Sequence, residues 1–350
     1  KVRGVFMLLT GWKAAKYYIL LLAAAFILIS LASLSFGQID IPLLTVVKII
    51  ISKLGVIDIY NGDFTQQELS VIWYIRLPRL LVGLFVGAAL AAAGATLQSI
   101  FGNHLADPGI IGVSAGAGAG AVFAIAIGVS SVSIFIMPLF AFTGSIVAVA
   151  LTVFLAMQNK KIPVMTLLLA GVAVGMLLGA VTTGLLTFMN QQQLQQYLFW
   201  MVGGLDYRRW EHVYMVLFPV AFGLTFLILM ARSLNILALG ESEARTVGMP
   251  VMRYRFVFLA LASLITASAV CVSGNISFVG LIIPHMMRML CGPDHRILLP
   301  LSASAGATFL IACDFLGRTI LTPIEVRTGI ITALLGTPYF LYLLRKTALK

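Results

Sequence analysis

Acids and arginines are scarce in this chain, so the few that fall beside or inside apolar runs are where chemistry is sought first. Asp314 is the one carboxylate lying well within an apolar block, and an acid so placed is a candidate for proton coupling. Arg318 follows four residues later, so an i,i+4 ion pair is an equally natural reading. Arg76-Leu-Pro-Arg79 sets two cations together where another block begins. Either they anchor a span end by snorkelling, or they meet an acidic patch on a partner, with Arg318 on the same surface. The segment Ile236–Pro250 reads as a short amphipathic helix with Glu241 and Arg245 paired on its wet side. Ala244 and Val247 offer it a small apolar face, Gly248 stops it and Pro250 lies beyond. It either rests on the membrane surface or acts as a lever docking into a cytosolic partner.

The remaining polar features point to structure. Asp107-Pro108 has the form of a helix start, an acid capping free amides and a proline at the first position; a place beside a transport pathway is the alternative. His104, His212, His285 and His295 are scattered without ligand spacing, and Cys271, Cys291 and Cys313 are too far apart for a metal site or disulfide framework. No catalytic residue and no metal site is assigned. Glycines four apart, as in Gly83/Gly87, Gly116/Gly120 and Gly171/Gly175/Gly179, suit close helix packing. The glycine-rich stretch 112–121 lacks the Gly-Lys-Ser/Thr of a phosphate-binding loop, so the chain is expected to bind neither ATP nor another cofactor. Asn190–Gln196 (NQQQLQQ) is either plain interface or the lining of a mouth.

The elements that must hold these residues are membrane spans. Hydrophobic residues make up 61% of the 350 and charged ones only 10%, well below the roughly 25% of a soluble domain. No Lys, Arg, Asp or Glu occurs over 108–159, 162–205 or 256–287, and a span needs only about 20 apolar residues. The expected fold is all-α and polytopic, with ten spans at 17–36, 78–101, 108–127, 132–157, 164–189, 211–231, 254–271, 277–291, 297–317 and 328–345. Residues 1–350 form a single transmembrane domain. Two polar segments stand outside the membrane, 37–76 (with Asn61-Gly62-Asp63) and 232–253. The run Tyr17–Phe36 follows a basic start, as in a signal peptide, but its length and the later spans favour a first transmembrane helix. The sequence begins without Met, which suggests trimming. Fifteen Lys and Arg fall on one side and eight on the other, which puts both termini inside. Two inverted five-helix halves would fit a common transporter plan, hinted at only by glycine-punctuated short spans near 108–120 and 274–284. The net charge of +11 sits in short loops, not in a stripe with interleaved aromatics, which argues against nucleic acid.

Several spaced motifs resemble the FecCD family of ABC-importer permeases: Arg76-Leu-Pro-Arg79, Gly94-Ala-Thr-Leu-Gln98, Asn103 through Gly112-Val-Ser, and Leu167-Leu-Leu-Ala-Gly171. So do Leu239-Gly-Glu through Ala244-Arg245 to Gly248, Phe278 through Pro284-His285, Asp294-His-Arg296 and the block 329–344. The resemblance runs in order from about residue 70 to the C-terminus. It implies a fold like the vitamin B12 importer permease, in the cytoplasmic membrane of a bacterium. It also implies a second permease copy or a paralogue, two cytosolic ATPase subunits that use ATP and Mg, a solute-binding protein outside, and membrane lipid around. Arg76, Arg79 and Arg318 would pair with binding-protein glutamates. Leu239, Gly240, Glu241, Ala244, Arg245 and Gly248 would form the coupling segment, within 236–250. Val164 and Met165 would lie at the inner gate, apolar where the vitamin B12 importer has small polar residues, which counts against that cargo. The expected function is permeation of an iron–siderophore complex, with haem or vitamin B12 as alternatives. A proton-coupled secondary transporter using Asp314 is the more distant rival. In none of the importer readings is the chain itself an enzyme.

Overall fold

Every apolar block becomes a helix, because a chain in lipid must satisfy its backbone within itself. The computed structural model describes residues 12–55, 63–158 and 161–348. Asn61 and Gly62, named above, and Lys1, Arg3, Lys160 and Lys350, counted among the fifteen cations placed inside, lie outside the described residues. In chain order the helices are α1 Trp12–Ser35, α2 Leu43–Lys53, α3 Gln66–Ser70 and, through a π-helical stretch Val71–Arg76, α4 Leu77–Phe101. There follow α5 Val113–Ala126, α6 Ile136–Ala156, α7 Val164–Leu186, α8 Gln191–Val202 and α9 Trp210–Leu229. Next come α10 Ala231–Ala238, α11 Glu241–Thr246, α12 Val251–Ser273, α13 Val279–Cys291, α14 His295–Thr319 and α15 Thr328–Ala348. No strand occurs among the described residues; Gln158 and Lys161 form one isolated bridge. Each of the ten expected spans falls on a helix among the described residues: seven are long and apolar enough to cross a membrane, and three are shorter apolar helices.

Helix α4 is the axis of the bundle. Its most apolar window is 83% buried, against 17% for α7. Helices α12, α13 and α14 pack around it, and α1 covers α14. A helix can be buried on all sides only if its neighbours come close, and α4 permits this with small residues from Ala88 to Ala95. Gly87 faces Gly306 of α14, where a Cβ would collide with backbone, and Gly94 meets the backbone of Gly280 on α13 in the same way. The two glycine-punctuated short spans converge here, the Pro108 ring lying against Gly280.

The span expected to start at 108 begins instead with a 3₁₀ turn, Pro108–Ile111, and α5 proper starts after Gly112. Asp107 does cap that turn, accepting from the Gly109 amide at 2.7 Å. The amide-rich stretch, expected as plain interface or the lining of a mouth, is helical, with Gln191, Gln192, Gln195 and Gln196 exposed. Asn190 and Gln193 form a reciprocal capping box that launches α8, a helix without counterpart in the expected span list. The glycine ladder on α7 is only partly a packing device. Gly171 lies against the Ile110 carbonyl, whereas Gly175 and Gly179 face open space.

Glycine at these contacts therefore has unequal worth. Gly94→Ala should destabilise the detergent-solubilised protein by about 2 kcal/mol, as overpacking does. Gly175→Ala should leave the melting temperature unchanged or slightly raised, since alanine is the better helix former. Equal melting of the two variants would show that the α4–α13 contact is not tight.

Candidate functional site

Two polar clusters sit at opposite ends of α4. At its start, the π-helical stretch rotates Arg76 and Arg79 inward, and both are only 7% exposed. Arg79 clamps Asp314 with Nε at 3.0 and 3.1 Å and a terminal nitrogen at 2.9 Å. Its other nitrogen donates to Glu325 at 2.8 Å, and Asp206 stands 3.4 Å away. Asp314 also pairs with Arg318 at 3.3 Å and accepts from Thr328. Arg318 donates to the Ser33 carbonyl and hydroxyl, and Arg76 to the carbonyls of Leu34, Ser35 and Ile39. Arg327 completes the cluster. It lies 3.3 Å from Asp206, donates to the Phe199 carbonyl and stacks 4.5 Å above the Phe199 ring.

The expected Asp314–Arg318 pair is thus present, inside a larger network. Arg76, Arg79 and Arg318, expected to pair with glutamates of a binding protein, are all buried and paired within the chain. Burial removes water from them, so their charge is met within the chain by carboxylates and carbonyls. Arg79 nevertheless reaches the outer pocket at this end, whose lining it shares with Asp206 and Glu325. What stands at the surface instead is Arg209, with Tyr207 beside it, 89% exposed and in the left-handed backbone region at φ 56°. A pocket of ≈ 680 Å³ opens there between Tyr74, Tyr207, Arg209, Glu325 and Arg327. Asp206, Glu325 and Arg327 went unassigned in the sequence; the only local signal was that these charges flank spans.

At the opposite end, Glu241 and Arg245 pair at 2.7 Å as their spacing predicts. The hydrogen bond from Arg245, joined by one from Arg255, holds the Glu241 carboxyl below its ordinary value of 4.5. That stabilisation is present above about pH 4.5 and fades as pH falls through the lowered value. The expected single helix over Ile236–Pro250 is corrected to two, α10 and α11, broken at Leu239-Gly240 where Gly240 adopts φ 123°. The apolar face also differs from expectation: Ala244 is fully buried against its own chain, while Val247 is 67% exposed, as is Leu239 at 72%. Gly248, at φ 77°, ends the segment.

Behind α11, two ties reach the bundle. Arg255 on α12 donates to Glu241 at 3.1 Å and to the Ile162 carbonyl at 2.7 Å. Asn235 on α10 donates to Asp294, while its oxygen meets the His295 backbone N–H and ring Nδ1. His295 in turn contacts Ser99 on α4. Gln98 beside it bonds the Leu281 carbonyl and accepts from Arg288. His295 is therefore part of a structural knot. Val164 and Met165 open α7 at this end, Met165 strongly exposed. Among the described residues no group of three His, Cys, Asp or Glu is placed to hold a metal ion.

The FecCD transport family model matches residues 22–346. The cobalamin import system permease BtuC of Halobacterium salinarum is 46% identical over 275 residues, covering 79% of this chain and 73% of that protein. The vitamin B12 import system permease BtuC of Escherichia coli K12 is 39% identical over 289 residues, 81% of this chain and 87% of the other. A solved metal-chelate type ABC transporter in an inward-facing conformation aligns with TM-score 0.80 and 29% identity, over 95% of this chain and 99% of that one. PsaBC of Streptococcus pneumoniae shares the fold at TM-score 0.57 and 22% identity, over 76% of this chain and 89% of that one.

The cluster at the Arg79 end makes a graded forecast. Asp314→Ala strands two buried guanidiniums and should cost about 3–5 kcal/mol in thermal unfolding of the solubilised chain. Glu325→Gln, at the wetter rim, should cost about 1 kcal/mol or less. Matching losses would mean that Asp314 is not the centre of the network.

Proposed function

The chain belongs to the FecCD transport family, and from that membership we propose that it forms the pathway of an ATP-driven importer for a bulky metal chelate, with cobalamin as the leading cargo. It is an ABC-transporter permease, a multi-pass membrane subunit and not itself an enzyme. The observation that carries the cargo reading is the 46% identity to a cobalamin permease over 79% of the chain. It outweighs the apolar Val164 and Met165, which counted against vitamin B12. A ferric siderophore is the second reading. It is favoured by those same apolar side chains and by likeness to a metal-chelate type transporter.

The Glu241 end faces the cytoplasm in this reading, with both termini, because it takes the larger share of Lys and Arg. Two cytosolic ATPase subunits, which bind and hydrolyse MgATP, would seat the Leu239–Gly248 segment by its exposed Leu239 and Val247. An extracytoplasmic binding protein would settle on the Arg79 end. There Arg76, Arg79 and Arg318 shape the surface from beneath and Arg209 and Tyr207 face outward. A second permease copy or a paralogue, with lipid elsewhere, would cover flanks such as the exposed side of α7. Closure of the ATPase pair then pushes α11, and the bundle opens toward one side or the other. The inner gate at Val164 and Met165 belongs to the same proposal. Asp314, fixed by two arginines and Thr328, serves as a strut in this scheme and not as a proton carrier.

The test is uptake into proteoliposomes holding the permease, its ATPase and its binding protein. ATP-dependent accumulation of radiolabelled cyanocobalamin, competed by unlabelled cobalamin but not by ferric siderophores, is expected. Uptake of ferric siderophore alone would shift the cargo to the second reading. Accumulation driven by a pH gradient without ATPase would overturn the importer assignment.

A further inference from the structure

The coupling segment is tied to the membrane bundle in two very different ways. Through α10 it joins the Asn235–His295–Ser99 knot, whose members are buried or partly buried and engage α4 and α14. Beyond the Gly240 break it is held by Arg255. That guanidinium is 6% exposed and uses one nitrogen for Glu241 on α11 and another for the Ile162 carbonyl. Ile162 is itself fully buried. One residue separates it from α7, and that residue is Pro163, whose ring fixes its backbone angle.

We infer that Arg255 is a positioning residue that carries displacement of α11 to the inner end of α7, where Val164 and Met165 stand. The inference rests on the proposed coupling role of α11. The physical argument is one of relative stiffness. Helix α10 is knotted into the most buried part of the bundle, so a push there meets close-packed backbone. Gly240 sits outside the range that side chains favour, and α11 is short and exposed, so it pivots against α10 with little resistance. The planar fork of arginine fixes the angles between its donors, so one guanidinium joins Glu241 to the Ile162 carbonyl directly. Within this chain, helix α7 is the receiving element with the least packed against it. Only its Leu167, Gly171 and Val174 are buried, and Gly175, Gly179 and Gly184 meet nothing.

A thiol-reactive environment-sensitive fluorophore at Met165→Cys reads this motion without reference to cargo, once Cys291→Ser removes the half-buried native thiol. The permease–ATPase complex in nanodiscs is measured before and after vanadate trapping with MgATP. Trapping should shift the label's emission in the otherwise unaltered complex. Arg255→Met, a residue outside the seated segment, should reduce that shift about fivefold or more, the lower end of coupling between sites, while ATPase subunits stay bound, and Glu241→Gln should reduce it by as much. Arg255→Lys should recover part of it, and the Glu241→Gln/Arg255→Met pair should be no worse than either alone. A full shift in Glu241→Gln overturns the inference even if Arg255→Met does not assemble, and so does the absence of any shift in the unaltered complex. A separate variant, Val247→Asp, tests the coupling reading itself. Retention of ATPase subunits there would remove that reading, whereas their loss alongside a full Glu241→Gln shift would remove only the role of Arg255.

Discussion

A helix enclosed on every side can carry no unpaired charge into the enclosure, and no side chain at all where a neighbour's backbone presses on it; α4 is such a helix. Along its middle the constraint is steric. Only small residues allow the backbones of α13 and α14 to approach as they do at Gly280 and Gly306. At its two ends the constraint is electrostatic. Arg79 enters the bundle only because Asp314 and Glu325 come from the far end of the sequence to meet it. Gln98 and Ser99 are tolerated at the other end because α13 carbonyls, Arg288 and His295 complete their hydrogen bonds. Where burial removes these groups from solvent, each of these partners stands in for a solvation shell.

The two ends solve that problem with different consequences for movement. The Arg79 cluster links α1, α4, the loop before α9, and both helices α14 and α15 through charges that face inward. Removing one partner strands another, so the cluster behaves as a fixed plate. At the Glu241 end the ion pairs are half in water and the backbone is interrupted at Gly240, Gly248 and Gly292. Ion pairs of that kind contribute little stability, which would suit the shift proposed for α11 beside a rigid core.

Much of this was legible in the sequence, and the boundary of legibility has a physical form. Ten spans follow from uncharged runs, because lipid excludes charge whatever the tertiary arrangement. The Asp314–Arg318 and Glu241–Arg245 pairs follow from helical spacing, a local property. The clamp of Arg79 on Asp314 joins residues 235 positions apart, and nothing local distinguishes it from an arginine pointing outward. Spacing of four told which face of α7 its glycines share but not whether a neighbour lies on that face. Helix α8 escaped notice because glutamines weaken its apolar signal, although Asn190 and Gln193 carried a capping signature. The Gly240 break had its signal too, a glycine in mid-segment, but only a φ of 123° distinguishes a joint from a weak helical position.

Rigidity in one part of the bundle gives the exposed part its meaning. Were α7 packed as α4 is, the single buried tie through Arg255 could move nothing, since close-packed helices yield only as units. Were α4 as exposed as α7, the plate at the Arg79 end would have no fixed axis to work against. The import cycle proposed above, with one face opening after the other, has a use for both kinds of helix. Their difference is already written in how bulk is spread along each: small residues throughout the middle of α4, and on α7 glycines that nothing in this chain covers, alternating with large apolar side chains such as Leu169, Val172 and Met176 that stand exposed.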